Sequence, residues 1–256
     1  MFDLEDSVEA GRKDDARRAV AEYLRTDAAS ASQRWVRINS SHSSWWSDDL
    51  AWLAEAGSFD AVVVPKAEAS ADIERASHAA GGRAVVPLLE TSRGILQATA
   101  IATARATIPA LLFGAEDLTA EIGVPRTVDG DELIVARSLV VLAASAAGAD
   151  AIDAVFIDIA ATDQLRRDAE RARALGFRGK MAIHPSQIPV IHDVFTPSAE
   201  EIERARRIVE ASDAAAAAGL GVIRLDDRMI DAPVVSRARK ILSLASRLAT
   251  PTRTPS

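Results

Sequence analysis

Seven short runs of β-branched and apolar residues, each closing on a polar or charged side chain, constrain the fold of this chain more than any other feature. They are MFDLE at 1–5, RWVRIN at 34–39, DAVVVPK at 60–66, AVVPLLE at 84–90, ALLFGAED at 110–117, AVFIDI at 154–159 and GKMAIH at 179–184. Longer alanine- and charge-rich stretches separate them, and this alternation is the pattern of repeated βα units on a parallel sheet. Strands of a (β/α)8 barrel are apolar where they pack the interior and turn polar at their C-terminal ends, where a site is assembled from several strands at once. An open doubly wound sheet would place a glycine-rich phosphate turn after its first strand, and neither G-x-G-x-x-G nor a P-loop occurs. The expected fold is therefore α/β, a (β/α)8 TIM barrel. A barrel needs eight strands and seven are identifiable, the first already at Met1, so the barrel is expected to be N-terminally truncated by one βα unit. The open seam would expose strand edges, which invite pairing with other chains.

After His184 the pattern changes. The stretch 197–219 starts with Ser198 as N-cap and Glu201 three residues on, a capping box, and ends at Gly219. A loop, LGVIRLDDRMIDAP, and a last helix to about Leu248 follow. The expected organisation is a barrel domain over 1–196, a helical extension and lid over 197–249, and a disordered tail over 250–256.

A chain of 256 residues suits one barrel domain. Its 37 acidic and 30 basic residues are spread along the chain at a net charge of −7, so no basic footprint for nucleic acid or an anionic membrane is present. The absence of cysteine excludes disulfides, thiolate nucleophiles and zinc-thiolate sites. The most apolar stretch, 133–151, carries Arg137 and stops at Gly148, which marks a buried amphipathic helix and not a membrane span. With no secretory h-region behind Met1, the expected address is cytoplasmic and the expected partners are small molecules.

Glu90 and Asp117 close consecutive strands, which would aim both carboxylates at one spot over the barrel mouth. Two carboxylates without histidine or cysteine suit a hard divalent cation, Mg2+ or Mn2+, with water and substrate oxygens completing the octahedron. Solvated strand-end acids are the plain alternative. Context favours the cation: Glu90 follows a fully apolar strand with a helix N-cap candidate behind it, and Glu116 and Asp117 follow a close-approach glycine, Gly114. Lys66 suits a phosphate and a salt bridge to Glu68 or Glu90 equally well. Arg12, Lys13, Arg17 and Arg18 form a basic face that could meet phosphates, though a solvated helix face is the better reading. His184, before Pro185, reads as a strand-end histidine that orders its loop. His42 and His78 have no partner at metal spacing, and Ser43, Trp45 and Trp46 read as a helix start with core-facing aromatics. No G-x-S-x-G supports serine hydrolysis.

The ordered motifs DLEDSV, VRIN, VVVPKAE, VPLLETSRGI, LLFGAEDLTAEIG, GFRGKMAIHPSQI and DDRMIDAPV, from residue 2 to about residue 245, resemble the CitE-like (citrate lyase β subunit-like) branch of the HpcH/HpaI aldolase/citrate lyase family. The resemblance implies a (β/α)8 barrel, trimeric or hexameric, that uses Mg2+ to make or break a carbon–carbon bond between an acyl-CoA thioester and a 2-oxo acid. It implies that Glu90 and Asp117 hold the metal and that Arg37 binds the oxyanion or the substrate carboxylate. Glu5 and Asp6, together with Glu116, would stand beside the metal ligands and hold water. Lys13 and Lys66 would be weaker contacts to substrate or CoA. Asp231, on the lid, would reach into a neighbouring subunit of a homo-oligomer and exchange the proton of the thioester's α-carbon. The substrate class implied is malyl-, citramalyl- or citryl-CoA. Thioester hydrolysis at the same metal site is an alternative, as is a catalytically impaired assembly partner, because relatives carry a CoA-binding unit ahead of DLEDSV that nothing here matches. An aldolase using a free aldehyde ranks below these, since it leans on a histidine near the metal that has no match here.

Overall fold

The computed structural model describes residues 1–26, 33–217, 223–225 and 228–249. The expected disordered tail at 250–256 and Gly219 lie outside the described residues. Two compact units form, Met1–Ile191 and His192–Ser256.

The first unit is a seven-stranded parallel sheet in strictly sequential order: β1 Phe2–Asp3, β2 Trp35–Arg37, β3 Ala61–Val64, β4 Ala84–Leu89, β5 Ala110–Phe113, β6 Asp150–Asp153 and β7 Gly179–Lys180. Helices fill the crossovers: α1 Lys13–Thr26, α2 Trp46–Leu53, α3 Ser70–Ala79, α4 Ser92–Leu96, α5 Ala98–Ala102, α6 Ala115–Ile122, α7 Ile134–Ala147 and α8 Thr162–Leu175, with α9 Ile188–Phe195 after β7. This is the wiring of a (β/α)8 barrel with seven of its eight strands. β1 and β7 stand at the ends of the strand order and are two residues long each. Short outer strands offer little ladder to a foreign chain, which blunts the edge liability expected of an open seam.

Alternation along the strands sorts the core. Ala61, Val63, Val86, Leu88, Ala110 and Leu112 form one buried cluster, with Trp35, Ile152 and Met181 packed against it. The intervening residues, Val62, Val85, Leu89, Leu111 and Phe113, are equally buried and face the other way, as period-two strands covered on both faces require. The same parity carries polar side chains to the mouth. Arg37 continues the line of Trp35, Glu90 the line of Leu88, and Asp3 lies beside Arg37 in the β1–β2 register.

Two expectations shift. The sixth strand occupies 150–153 and not 154–159, where Ile157 and Ile159 are exposed. The acids Asp150 and Asp153 interrupt the apolar run that marks a strand, and Asp153 is tolerated because it is neutralised. Its fully buried carboxylate takes Arg137 Nε at 2.9 Å and Lys180 Nζ at 2.6 Å, while Asp168 takes Arg137 Nη2 at 2.8 Å and Lys180 Nζ at 2.5 Å. Two cations and two anions close a balanced quartet between the sheet and α7–α8. The second shift concerns Glu116 and Asp117, which lie in the first turn of α6 and not at the end of β5.

Asp168 supplies a pH prediction. Burial pushes its carboxyl up, but the charges of Lys180 and Arg137 outweigh that and hold it below the ordinary 3.8. A depressed folded-state pKa contributes stability that is present above the unfolded value and lost as pH falls through the folded one. Urea midpoints are therefore expected to fall below pH 4 more steeply for the wild type than for Asp168→Asn; equal slopes would contradict it.

In the second unit, α10 Ala199–Ala217 and α11 Ala232–Ala249 pack through Ala205, Ile208, Val235 and Ala238. The capping box at the start of α10 is made in both directions: Glu201 N–H donates to Ser198 Oγ at 3.1 Å, and Ser198 N–H to Glu201 Oε2 at 2.8 Å. The stretch read as a loop is instead an antiparallel hairpin, β8 Ile223–Leu225 and β9 Arg228–Ile230.

Candidate active site

The C-terminal ends of β1 to β5 converge on one acidic cluster. Glu90 follows β4 directly and is nearly fully buried. Lys66, two residues past β3, is the only described non-glycine residue with a positive φ, +48°. A left-handed backbone costs a lysine roughly 1–2 kcal/mol, and here it turns the Lys66 N–H onto Glu90 Oε1 at 2.9 Å. The Lys66 ammonium then reaches Glu5 Oε1 at 2.8 Å, Asp117 Oδ2 at 3.1 Å and Asp6 Oδ2 at 3.3 Å. Lys66 thus binds carboxylates, and neither Glu68 nor a Glu90 salt bridge is its ammonium's partner.

Close approach of β4 and β5 requires Gly114. A Cβ there would stand 2.5 Å from Glu90 Cβ and 2.6 Å from Glu90 Oε2, inside any real contact. Thr91 caps α4 by accepting Gly94 N–H at 3.0 Å, which fixes the turn behind Glu90.

Arg37 is held as a fork, Nε to Asp3 Oδ1 at 2.7 Å and Nη2 to Asp3 Oδ2 at 2.5 Å, leaving Nη1 3.0 Å from Glu5 Oε2. Burial pushes Asp3 up, yet the Arg37 fork and the Ser7 and Glu5 hydrogen bonds bring it down to about 2. Glu5 goes the other way, raised chiefly by burial against the opposing pull of Lys66 and Arg37. Glu90 is raised to about 8, first by burial, with the Lys66 N–H working against it and the charges of Asp117 and Glu5 adding to it.

Asp3, Glu5, Asp6, Glu90 and Asp117 together outnumber the two cations among them, Arg37 and Lys66. A carboxyl held as high as Glu90 gives up its proton to a cation that can replace it. Among the described residues no group of three or more acidic, histidine or cysteine side chains stands at coordination spacing. Glu90 and Asp117 are the pair that could hold a divalent ion, with Glu5 engaged by Lys66 and Arg37. Mg2+ takes such a pair with water and substrate oxygens, so the residues fit that ion.

The remaining expected residues fall elsewhere. Lys13 is buried, and its ammonium donates to the Leu4 and Glu5 carbonyls at 2.8 and 2.6 Å and lies over the Trp45 ring. It therefore clamps the β1 loop and is not available to a CoA phosphate. Its neighbour Arg17 is buried too, on Asp49 at 2.7 Å, so the basic face of α1 is only partly solvated. Glu116 pairs with Arg126. His184 accepts Ser186 N–H at 3.2 Å and so caps the turn Pro185–Gln187. Asp231 belongs to the second unit, where its Oδ1 accepts Val234 N–H at 3.2 Å and caps α11. It borders a groove of about 580 Å3 with Ser236, Arg239 and Lys240.

Three anchoring residues were not singled out from sequence. Asp3 was readable from the β1–β2 register with Arg37. Asp49 sits on a helix and accepts both Asn39 N–H and Asn39 Nδ2 at 2.6 and 2.7 Å, a long-range contact with no local signal. Arg126 follows α6 in a loop and is equally silent.

Comparison with known proteins identifies the family. Residues 1–185 match the family model HpcH/HpaI aldolase/citrate lyase. The chain is 37% identical to the citrate lyase subunit beta of Escherichia coli (strain K12), over 96% of this chain and 84% of that protein. It is 32% identical to the mitochondrial citramalyl-CoA lyase of Rattus norvegicus, over 97% of this chain and 79% of that one. Among solved structures, protein CitE of Mycobacterium tuberculosis in complex with magnesium, acetoacetate and coenzyme A superimposes with a TM-score of 0.80 at 36% identity, covering 95% of this chain and 88% of that chain. The chain belongs to the HpcH/HpaI aldolase/citrate lyase family.

Proposed function

We propose that this member of the HpcH/HpaI aldolase/citrate lyase family is a Mg2+-dependent carbon–carbon lyase acting on a 3-hydroxyacyl-CoA thioester. The substrate class is malyl-, citramalyl- or citryl-CoA, and the products are an acyl-CoA and a 2-oxo acid. The observation that carries this reading is the convergence of Glu90 and Asp117 on Lys66, with the forked Arg37 joined to the same cluster through Glu5. Support also comes from relatives that include a citramalyl-CoA lyase, and from a CitE structure holding magnesium and coenzyme A.

Glu90 and Asp117 would hold the ion, which when bound supplies a Lewis acid for the carbonyl and carboxylate oxygens of the oxo acid. Arg37 is preorganised by Asp3, so its guanidinium meets the charge that develops as the bond breaks without reorganising. Cleavage passes the hydroxyl proton to water, turns that carbon into the oxo carbon, and leaves the bonding pair on the thioester's α-carbon, which takes one proton back, so that the net reaction is proton-neutral. Asp231 is the group we assign to that proton, acting in a neighbouring subunit of a homo-oligomer. Its Oδ1 is held by the helix cap, and the other oxygen would carry the exchange.

The test is release of oxo acid and of free CoA from the three thioesters, with Mg2+ and with EDTA. Oxo-acid release that stops on chelation and in Asp117→Ala supports the lyase. Free CoA without oxo acid would reassign the site to thioester hydrolysis, and turnover indifferent to both treatments would remove the proposal. Gly114→Ala, which must push Glu90 aside, is expected to lower turnover about 100-fold, read in the same assay at saturating Mg2+; near-wild-type turnover would contradict that role for Gly114.

A further inference from the structure

Lys66 is placed unusually for a residue that merely neutralises acids. Its backbone adopts the left-handed region at φ +48°. Its amide and its ammonium serve different carboxylates: the N–H holds Glu90, while Nζ holds Glu5, Asp6 and Asp117. One residue therefore touches both of the carboxylates assigned to the ion, from opposite ends of its own structure. The amide contact survives any substitution that keeps the backbone turn. The ammonium contact, 3.1 Å from Asp117, puts a positive charge on an oxygen that a divalent ion would need.

We propose that Lys66 is a positioning residue with two separable actions, an inference that rests on the cation reading above. Its amide fixes Glu90 for the ion, and its ammonium is a resident counter-ion that an incoming divalent cation displaces from Asp117. Glu5 and Asp6 then retain the ammonium, so that the side chain swings within the cluster and does not leave it. On this account Lys66 weakens the intrinsic hold on the ion, which keeps the ion exchangeable, and it has no part in binding a CoA phosphate.

The experiment is equilibrium titration of the purified protein with Mn2+, followed by calorimetry and by the Mn2+ electron paramagnetic resonance signal, in the absence of substrate. Wild type is compared with Lys66→Met, Lys66→Gly and Lys66→Arg, each checked for folding by circular dichroism. Glycine accepts the positive φ without strain, so Lys66→Gly removes the ammonium while preserving the backbone turn. Removing a unit charge from within ion-pair distance of Asp117 is expected to tighten Mn2+ binding about tenfold in both the Met and Gly variants, with Arg close to wild type. The Michaelis constant for the thioester should not change. Unchanged or weaker Mn2+ binding in the Gly variant overturns the proposal while leaving the cation site intact. A raised thioester Michaelis constant with unaltered Mn2+ affinity would return Lys66 to the CoA site and also overturn it. Failure of the wild type itself to bind Mn2+ would instead remove the cation reading and this inference together.

Discussion

Arg137→Leu is expected to destabilise the protein by about 3–5 kcal/mol, the cost of breaking a buried ion network from one side. Arg137 is fully buried, and its substitution leaves Asp153 and Asp168 with Lys180 as their sole remaining cation in the quartet. The leucine fills much of the vacated volume, so the loss is electrostatic and not a cavity. The double variant Arg137→Leu with Asp168→Asn restores the balance with the Asp153–Lys180 pair and is expected to lose less than Arg137→Leu alone, a coupling read from urea denaturation of the single and double variants. Additive losses would mean that the four side chains do not act as one unit.

Arg37→Ala is expected to lower kcat about 100- to 1000-fold, the effect of deleting a preorganised donor aimed at developing charge. Arg37→Lys should recover little of it, because an ammonium cannot reproduce the two parallel hydrogen bonds that Asp3 accepts. The substitution also frees Asp3, whose carboxyl is held at about 2 chiefly by that fork against burial. It then returns towards the ordinary range, adding an acid to the mouth. Mn2+ affinity should be kept or increased, since a positive charge has left the cluster. A loss confined to the Michaelis constant would show that Arg37 only binds substrate, and lost Mn2+ binding would show that it holds the acids in place.

The barrel was legible because its strands carry their burial on their surface, so to speak, in short β-branched runs with polar ends. Glu90 and Arg37 could be read as mouth residues from that pattern, since period-two alternation puts each on the inner face at a strand end, whereas Lys66 is off that alternation and joins them through its left-handed backbone. Asp117 comes to Lys66 from a different element than expected, as it stands in the first turn of α6 and not on β5. The sixth strand was misplaced because Asp150 and Asp153 break its apolar run, and the buried one, Asp153, is neutralised by Arg137 and Lys180, 16 and 27 residues away. No local pattern encodes partners that distant. Lys13 was misread for a related reason: a lysine on an amphipathic helix looks solvated until the loop it clamps is folded over it. The hairpin of the second unit was hidden by the charges along 224–228, which read as a loop.

The account stands on two carboxylates from adjoining βα units sharing one hard ion. Equilibrium Mn2+ binding to Glu90→Gln and to Asp117→Asn, measured beside the wild type on folded protein, addresses this most directly. The prediction is one ion per chain in the wild type and loss of that ion in each variant. Wild-type affinity in either variant would show that the ion, and the chemistry built on it, lies elsewhere.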